Sequence, residues 1–555
     1  MKRSKVLILS VVVTLFMACS EKTEQLLKSS PSSVINTNSG SKKEAFYESE
    51  VLAVPVAPSP VPMAVPKARV SPIVSSRPLP IMQAPNPLAE MRNEQYNTIK
   101  EQGFKEVATS ALSTFSSDVD TASYANIRRY LIQNHRLPPK NAVRLEELLN
   151  YFSYKYQEPQ DEQPFYINSV VSNTLWNKKS KILQIGLQSK KPNIEKLPPS
   201  NLVFLLDVSG SMGQANKLPL LKKSLALLSK QLREKDRVSI VVYAGNSGLV
   251  LDQAKGSESA QIVDALERLN AGGSTAGGQG IELAYKVAKE AFIEGGNNRV
   301  ILATDGDFNV GLRDQDELIK FIEEKREMGI YLTVLGFGMG NYKDGKMEQL
   351  ADKGNGNYAY IDNLLEAKKV LVTQMSGTLY TVAKDVKVQV EFNPKKVHAY
   401  RLIGYENRAM ANEDFNNDKK DAGEIGMGHS VTALYEIILA SENETSQVDE
   451  LKYQNRTLSN SEELATVKIR YKQPNSSRSE LMSKAILDSN GNISEIDRDF
   501  AQIVAGFGMI LRDSEYKKGL KLSRLIALAK NVKGEDREGY RAEFIKLMEQ
   551  AELLN

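Results

Sequence analysis

The stretch LLDVSGSMG, residues 205–213, decides the fold and raises the first question about function. Apolar residues lead up to Asp207, and Ser209 and Ser211 follow at steps of two, with Gly210 between them. A nearly continuous apolar run of this kind is typical of a parallel strand that is buried on both faces. Glycine lets the loop after the strand fold tightly. The three side-chain oxygens can therefore point toward one place.

Outward from this stretch, strands and helices alternate from about residue 196 to 380. An amphipathic helix over 217–232 is followed by a strand over 236–245, and apolar strands recur at 298–306 and 330–338. Apolar strands that are separated by helices predict a parallel sheet with helices on both faces. We therefore predict a multidomain α/β protein with a central doubly wound, mostly parallel, Rossmann-like sheet.

Two further oxygen donors occur where such a fold binds ligands, beyond the carboxyl ends of the strands. Thr275 lies in the glycine-rich loop NAGGSTAGGQG, and Asp305 follows the apolar run of ILATDG. Hydroxyls and carboxylates suit a hard cation such as Mg²⁺, which usually keeps positions for other ligands. The predicted ligands of Mg²⁺, or of Mn²⁺ or Ca²⁺ in its place, are Asp207, Ser209, Ser211, Thr275 and Asp305. A remaining position would accept a carboxylate from another molecule.

The combination of DVSGS, Thr275 and TDG resembles the metal-ion-dependent adhesion site (MIDAS) of von Willebrand factor type A (VWA) domains. The resemblance implies that the two serines and the threonine are direct or switchable ligands, and that the two aspartates act largely through water. It also implies that ligand binding moves the last helix of the domain, here residues 364–380, along the sheet. We therefore expect ligand binding to change the orientation of the C-terminal domain.

Three stretches carry a wider resemblance: GGSTAGGQGIELAY (272–285), NNRVILATDGDFNVG (297–311) and LADKGNGNYAYID (350–362). The chain from about residue 95 to its end resembles a group of bacterial lipoproteins that carry the VWA domain between an N-terminal associated domain and a C-terminal domain of unknown function. Residues 100–195 contain two helical periods and two strand-like runs, which predict a small α+β domain. The resemblance implies that this is the N-terminal VWA-associated domain. The VWA domain is expected at 196–380. Residues 381–555 contain alternating strands and then three amphipathic segments, which predict a β-sandwich followed by helices.

Residues 1–19, MKRSKVLILSVVVTLFMAC, have the form of an export signal, with a basic head and an apolar run too short to span a bilayer. The segment resembles a bacterial lipoprotein signal peptide, which implies that Cys19 becomes the lipidated first residue. An ordinary signal with an incidental cysteine is the alternative. Because Cys19 is the single cysteine of the chain, a disulfide framework is excluded.

Residues 20–99 show neither a helical nor an alternating period, and ten of the 21 prolines fall between Pro55 and Pro87. This composition predicts a disordered, proline-rich tether, and 33 residues in extended polyproline geometry reach about 100 Å. Ser20 after the lipidated cysteine favours the outer membrane. We expect a lipid-anchored protein of the bacterial cell envelope, and the sequence leaves open whether it faces the periplasm or the outside.

The charge balance and the histidine content limit the possible functions. Lys and Arg total 72 against 68 acidic residues, and three of the basic ones lie in the signal segment, so the sequence gives no reason to expect nucleic acid as a partner. A serine nucleophile needs a neighbouring base. The three histidines lie outside the VWA segment: His135, His398 and His429. We therefore expect a metal-dependent, non-enzymatic protein-binding site.

Two alternatives to this function stay open. The first is an envelope scaffold in which the metal only stabilises the loops. The second is catalytic: a hydrolase with Ser209 or Ser211 as the nucleophile, or a phosphotransferase that uses Asp207.

The lipidation hypothesis predicts the fate of a Cys19→Ser variant. Without the thiol no lipid can be attached, so we expect the variant to lose its lipid anchor and to be either soluble or held by an uncleaved signal. Fractionation and metabolic labelling with a fatty acid would measure this. Processing of the wild-type chain that is insensitive to globomycin would contradict the hypothesis.

Overall fold

The structure is a computed structural model, and it describes residues 94, 96–117, 120–160, 163–191, 193–273, 277–306, 315–338, 344–441, 461–474, 476–488 and 491–555. The predicted signal, the predicted tether up to residue 93, Cys19 and Thr275 lie outside these residues. The described residues belong to one compact unit, Met82–Asn555. Among them, no helix combines the length and the apolar character that crossing a membrane requires.

The strands, in chain order, are β1 (Lys105–Glu106), β2 (Leu112–Ser116), β3 (Phe165–Asn173), β4 (Lys181–Ser189), β5 (Ser200–Asp207), β6 (Arg237–Tyr243), β7 (Ser247–Lys255), β8 (Asn297–Thr304), β9 (Ile330–Phe337), β10 (Tyr358–Ile361), β11 (Thr381–Phe392), β12 (Val397–Ile403), β13 (Ala409–Met410), β14 (Ile425–Gly426), β15 (Ser430–Leu439), β16 (Glu463–Lys472) and β17 (Ser479–Leu487).

The α-helices are α1 (Ala122–Arg128), α2 (Leu145–Asn150), α3 (Leu218–Ser229), α4 (Ser259–Glu267), α5 (Gly277–Glu290), α6 (Gln315–Glu327), α7 (Asp344–Lys353), α8 (Leu364–Lys368), α9 (Met375–Leu379), α10 (Glu495–Arg512), α11 (Leu522–Asn531) and α12 (Tyr540–Leu554). Short π-helical segments continue α1 over Arg129–Gln133 and α8 over Lys369–Thr373.

The central sheet has six strands in the order β10-β9-β8-β5-β6-β7. All neighbours are parallel except β7, which is antiparallel to β6. Every residue of β5 and β8 is buried, as expected for central strands of a parallel sheet that is covered on both faces. The strand order reverses between β5 and β8, because the chain runs from β5 to one side of the sheet and returns to β8 on the other. The prediction of a doubly wound, mostly parallel sheet is confirmed.

The remaining strands form two antiparallel sheets, in the orders β1-β12-β15-β4-β3 and β13-β2-β11-β16-β17, with β14 pairing with β11. The apolar faces of the two sheets meet in one core. Members of this core include Phe115, Leu183, Val388, Tyr435 and Val467. The two sheets therefore form a β-sandwich.

This sandwich corrects the prediction that residues 100–195 and 381–555 form two separate domains. Strand β2 of the first segment lies between β13 and β11 of the second, and β4 pairs along its length with β15. Each segment alone would leave the backbone N–H and C=O groups of these strands without partners, which is costly away from water. The two segments consequently build one composite unit.

A helical layer lies beside the sandwich and again combines both segments. Helices α1 and α2 pack with α10, α11 and α12 in one apolar cluster. Its centre is aromatic: the ring centroids of Phe152 and Phe500 are 4.9 Å apart, and those of Phe152 and Phe544 are 5.2 Å apart. Helix α1 also contributes Ala122 and Ala125 to a core cluster of the central sheet. It therefore packs against both parts of the molecule.

A buried ion network holds the central sheet to this helical layer. Arg128, at the end of α1, donates to Asp362 after β10, to Glu366 of α8 at 2.7 Å and to Glu543 of α12 at 3.1 Å. The side chains of Arg128, Asp362 and Glu366 are at most 5% exposed. The Lys369 ammonium donates to the Tyr151 carbonyl in the same region. One guanidinium thus joins three segments that are distant in sequence.

A second network joins the sandwich loops to α7. The Arg408 guanidinium lies 3.0 Å from Glu348, 2.8 Å from Asp352 and 3.2 Å from Asp120. Arg144 also contacts Glu348, at 3.2 Å. Removal of one partner of such an ion pair leaves the other buried and unpaired, which destabilises the fold.

Replacement of Arg128 by Met tests the first network. The change leaves Asp362 and Glu366 buried without their guanidinium, so we expect a loss of about 3–5 kcal/mol in the free energy of unfolding. Denaturant unfolding of the full chain measures it. The matched control is Lys530→Met, which breaks a pair with Glu549 whose side chains are 57% and 44% exposed and should cost no more than about 1 kcal/mol. Equal stability of the two variants would contradict the role of the network.

Candidate functional site

The DVSGS loop begins where β5 ends, at the point of the sheet where the strand order reverses. Asp207 is fully buried as the last residue of β5. One of its carboxylate oxygens accepts from the Ser209 backbone N–H at 2.9 Å, and the other accepts from the Tyr243 hydroxyl at 3.1 Å. Tyr243 is the last residue of β6. The neighbouring strand thus fixes the orientation of the carboxylate.

The two serines follow in a tight turn, with a 3₁₀ segment over Gly210–Gly213. Their hydroxyl oxygens are 3.0 Å apart, with Ser209 buried and Ser211 exposed. The turn is held against the glycine-rich loop, because the Gly210 N–H donates to the Gly273 carbonyl at 3.1 Å. The structure describes this loop only as far as residue 273, so the position of Thr275 stays a prediction.

Asp305 follows β8, the other strand at the reversal point, and it is buried. One of its carboxylate oxygens lies 3.0 Å from the ammonium nitrogen of Lys217. Lys217 is also buried and directly precedes α3. Lys217 cannot be singled out from the sequence, because no local pattern distinguishes it from the other lysines of the chain.

Two buried carboxylates, those of Asp207 and Asp305, give the site negative charge that its own residues compensate only in part. The pKa of Asp207 is raised to about 6, mainly by burial and also by the charge of Asp305, although hydrogen bonds from Ser209 and Tyr243 act to lower it. Burial also raises the pKa of the Tyr243 hydroxyl, which therefore stays protonated as a donor. A hard cation with oxygen ligands would compensate these carboxylates.

The described part of the chain thus brings together four of the five predicted metal ligands: Asp207, Ser209, Ser211 and Asp305. Within the same part of the chain, no three His, Cys, Asp or Glu side chains lie together in a group that could hold a metal ion. The oxygen donors of the site are therefore two carboxylates and two hydroxyls. This set fits Mg²⁺, which binds through one or two carboxylates and completes its coordination with other oxygens.

Comparison with known proteins agrees with this architecture. The family model of the von Willebrand factor type A domain matches residues 201–374, and a model described as von Willebrand factor matches residues 90–184. A model described as the C-terminal part of the uncharacterized protein YfbK matches residues 377–554. The chain is 44% identical to the uncharacterized protein YfbK of Escherichia coli over 477 residues, which cover 84% of this chain and 82% of YfbK. The chain belongs to the YfbK family.

Two further comparisons reach beyond the YfbK family. An uncharacterized protein of Synechocystis, sll0103, is 30% identical over 185 residues, which cover 33% of this chain and 43% of that protein. The solved structure of a von Willebrand factor type A protein from Catenulispora acidiphila covers 69% of this chain and 90% of its own, with 15% identity and a TM-score of 0.37. The predicted resemblance to VWA-domain proteins is confirmed by the family matches.

The hydrogen bond from Tyr243 to Asp207 can be tested with a pair of conservative variants. Tyr243→Phe removes a donor from a buried carboxylate, so we expect a loss of about 1–3 kcal/mol in the free energy of unfolding. The control is Tyr285→Phe, because the buried Tyr285 hydroxyl has no hydrogen-bond partner among the residues that the structure describes, and its removal should be neutral or stabilising. The same loss in both variants would argue against a specific contact with Asp207.

Proposed function

We propose that this protein is a lipid-anchored protein of the bacterial cell envelope that binds a protein partner through a divalent cation in its VWA domain. VWA domains typically mediate protein interactions, and the family matches establish that domain here. The observation that carries the proposal is the convergence of Asp207, Ser209, Ser211 and Asp305 at the reversal point of the sheet. In doubly wound folds this is the position where ligands bind.

The metal would be held by these four residues together with Thr275, and Mg²⁺ is the proposed ion. When bound, the cation would supply a positive charge and could coordinate a carboxylate oxygen of an acidic residue of the partner. The residues of the chain prepare this site in the absence of metal. The Tyr243 hydroxyl and the Ser209 N–H orient Asp207, and the backbone bond from Gly210 to Gly273 brings the two loops together.

The proposed anchor is a lipid on Cys19, followed by the proline-rich tether, and the proposed location is the outer membrane. The tether would carry the VWA domain well away from the lipid surface, where it can reach a partner. The bilayer contact is then made by the lipid alone. This part of the proposal rests on the sequence of residues 1–99.

The metal site is tested by the thermal stability of an Asp207→Ala variant. A cation that binds only the folded chain raises its melting temperature, so wild type should show a Mg²⁺-dependent rise that EDTA reverses. We expect the variant to fold and to lose this rise. The control is Asp264→Ala, an exposed residue of α4, which should keep it. The same rise in Asp207→Ala would place the cation elsewhere.

Partner binding is tested by cross-linked capture from native envelopes, with Mg²⁺ and with EDTA, using wild type and Ser209→Ala. The proposal expects one protein that is captured only by wild type with Mg²⁺. Capture that is equal in EDTA would favour a scaffold whose metal only stabilises loops. Turnover of generic ester or phosphate substrates that depends on Ser209 would favour the hydrolase alternative.

A further inference from the structure

A buried cationic side chain is already part of the candidate metal site. The Lys217 side chain is 6% exposed and the Asp305 side chain is 3% exposed, and their charged atoms are 3.0 Å apart. A lysine is almost never buried to this extent unless it is paired, because removal of an ammonium group from water is costly. Lys223, on the following helix, shows the ordinary situation of a solvent-exposed lysine.

The fold makes room for the Lys217 side chain at one particular residue. Gly338, directly after β9, has a φ of +78°, in the left-handed region that favours glycine. A Cβ atom at this position would lie 2.3 Å from Cε of Lys217 and 2.7 Å from its Cγ. The aliphatic part of the lysine therefore occupies the space in front of Gly338. This packing directs the ammonium toward Asp305.

The position of Lys217 changes the charge balance of the site. Asp207 and Asp305 bring two buried carboxylates, which interact with each other unfavourably, and Lys217 brings one positive charge. Two buried carboxylates without a cation would destabilise the metal-free fold. A fixed ammonium relieves that cost, but it also repels a second cation that enters the same site.

We propose that Lys217 is a built-in counter-cation of the metal site, which keeps the metal-free site folded and lowers its affinity for a divalent cation. Lys217 is thus a positioning residue that acts through Asp305. This inference rests on the proposed function, because it assumes that the cation binds between Asp207 and Asp305. Its consequence is a site that exchanges metal readily and does not need metal in order to fold.

The test compares Lys217→Met with Lys217→Arg, using Mg²⁺ alone as the probe. Methionine keeps an unbranched apolar chain beside Gly338 and removes the charge, whereas arginine keeps the charge. Calorimetric titration of the full chain should show Mg²⁺ affinity raised about tenfold or more in Lys217→Met and close to wild type in Lys217→Arg. In EDTA, the melting temperature of Lys217→Met should fall by several degrees. Lys223→Met is the matched surface control and should change neither quantity.

A second variant keeps the inference testable if Lys217→Met does not fold. Gly338→Ala places a methyl group where the lysine chain lies, so it should shift Mg²⁺ affinity in the same direction without removing the ammonium. If the wild type binds Mg²⁺ and a folded Lys217→Met or Gly338→Ala variant binds it with the same affinity, the role of Lys217 is overturned. The proposed metal site would then still stand. Absence of Mg²⁺ binding in the wild type would overturn the proposed metal site and this role with it.

Discussion

The reversal of strand order at β5 is the constraint on which the site depends. Because β6 lies on one side of β5 and β8 on the other, the loops that leave β5 and β8 separate above the sheet and leave an opening between them. Residues at the carboxyl ends of both strands face this opening, which is how Asp207 and Asp305 come close although 98 positions separate them in sequence. The hydroxyls of Ser209 and Ser211 are placed at the site by a local turn, because Gly210 lets the chain turn directly after the strand. The position of the site is therefore a property of the topology, and the residue types decide its chemistry.

The sequence predicts the buried strands and the carboxylates at their ends, because both features are local sequence patterns. Apolar runs that end in a carboxylate predict buried parallel strands, and a parallel sheet brings their carboxyl ends to one edge. Lys217 could not be predicted in the same way. Its role depends on a glycine 121 positions later, Gly338, whose missing side chain makes room for the lysine chain. No spacing or periodicity reports such a contact, and only the packed structure shows that a third charge belongs to the site.

The composite sandwich cannot be predicted from the sequence, for a related reason. The sequence predicts two of the four strands of residues 100–195, β3 and β4, and it does not predict the short strands β1 and β2. Alternation of apolar and polar residues also does not say which strand is the neighbour. Strand β2 is five residues long and takes its place between β13 and β11, roughly 270 to 300 positions away. Antiparallel pairing over such a distance is decided by the complete sheets, whose open edges must be covered. The helices of the N-terminal segment also depend on distant segments. Helices α1 and α2 are too short to be stable alone and are stabilised by packing against α10 and α12. The N-terminal and C-terminal segments thus depend on each other for folding.

This dependence bears on the expectation that the last helix of the VWA domain slides when a ligand binds. Glu366 of that helix accepts from Arg128 at 2.7 Å and from the Tyr151 hydroxyl at 2.9 Å, and Lys369 donates to the Tyr151 carbonyl. Separation of a buried ion pair costs about 3–5 kcal/mol, so a ligand would have to bind the shifted state roughly 10²–10⁴-fold more tightly to move the helix alone. A shift becomes cheaper only if these contacts stay intact, which requires α1 to move together with the helix. Since α1 also packs against both the central sheet and the helical layer, a shift of the last VWA helix that keeps these contacts would be passed to the helical layer through α1.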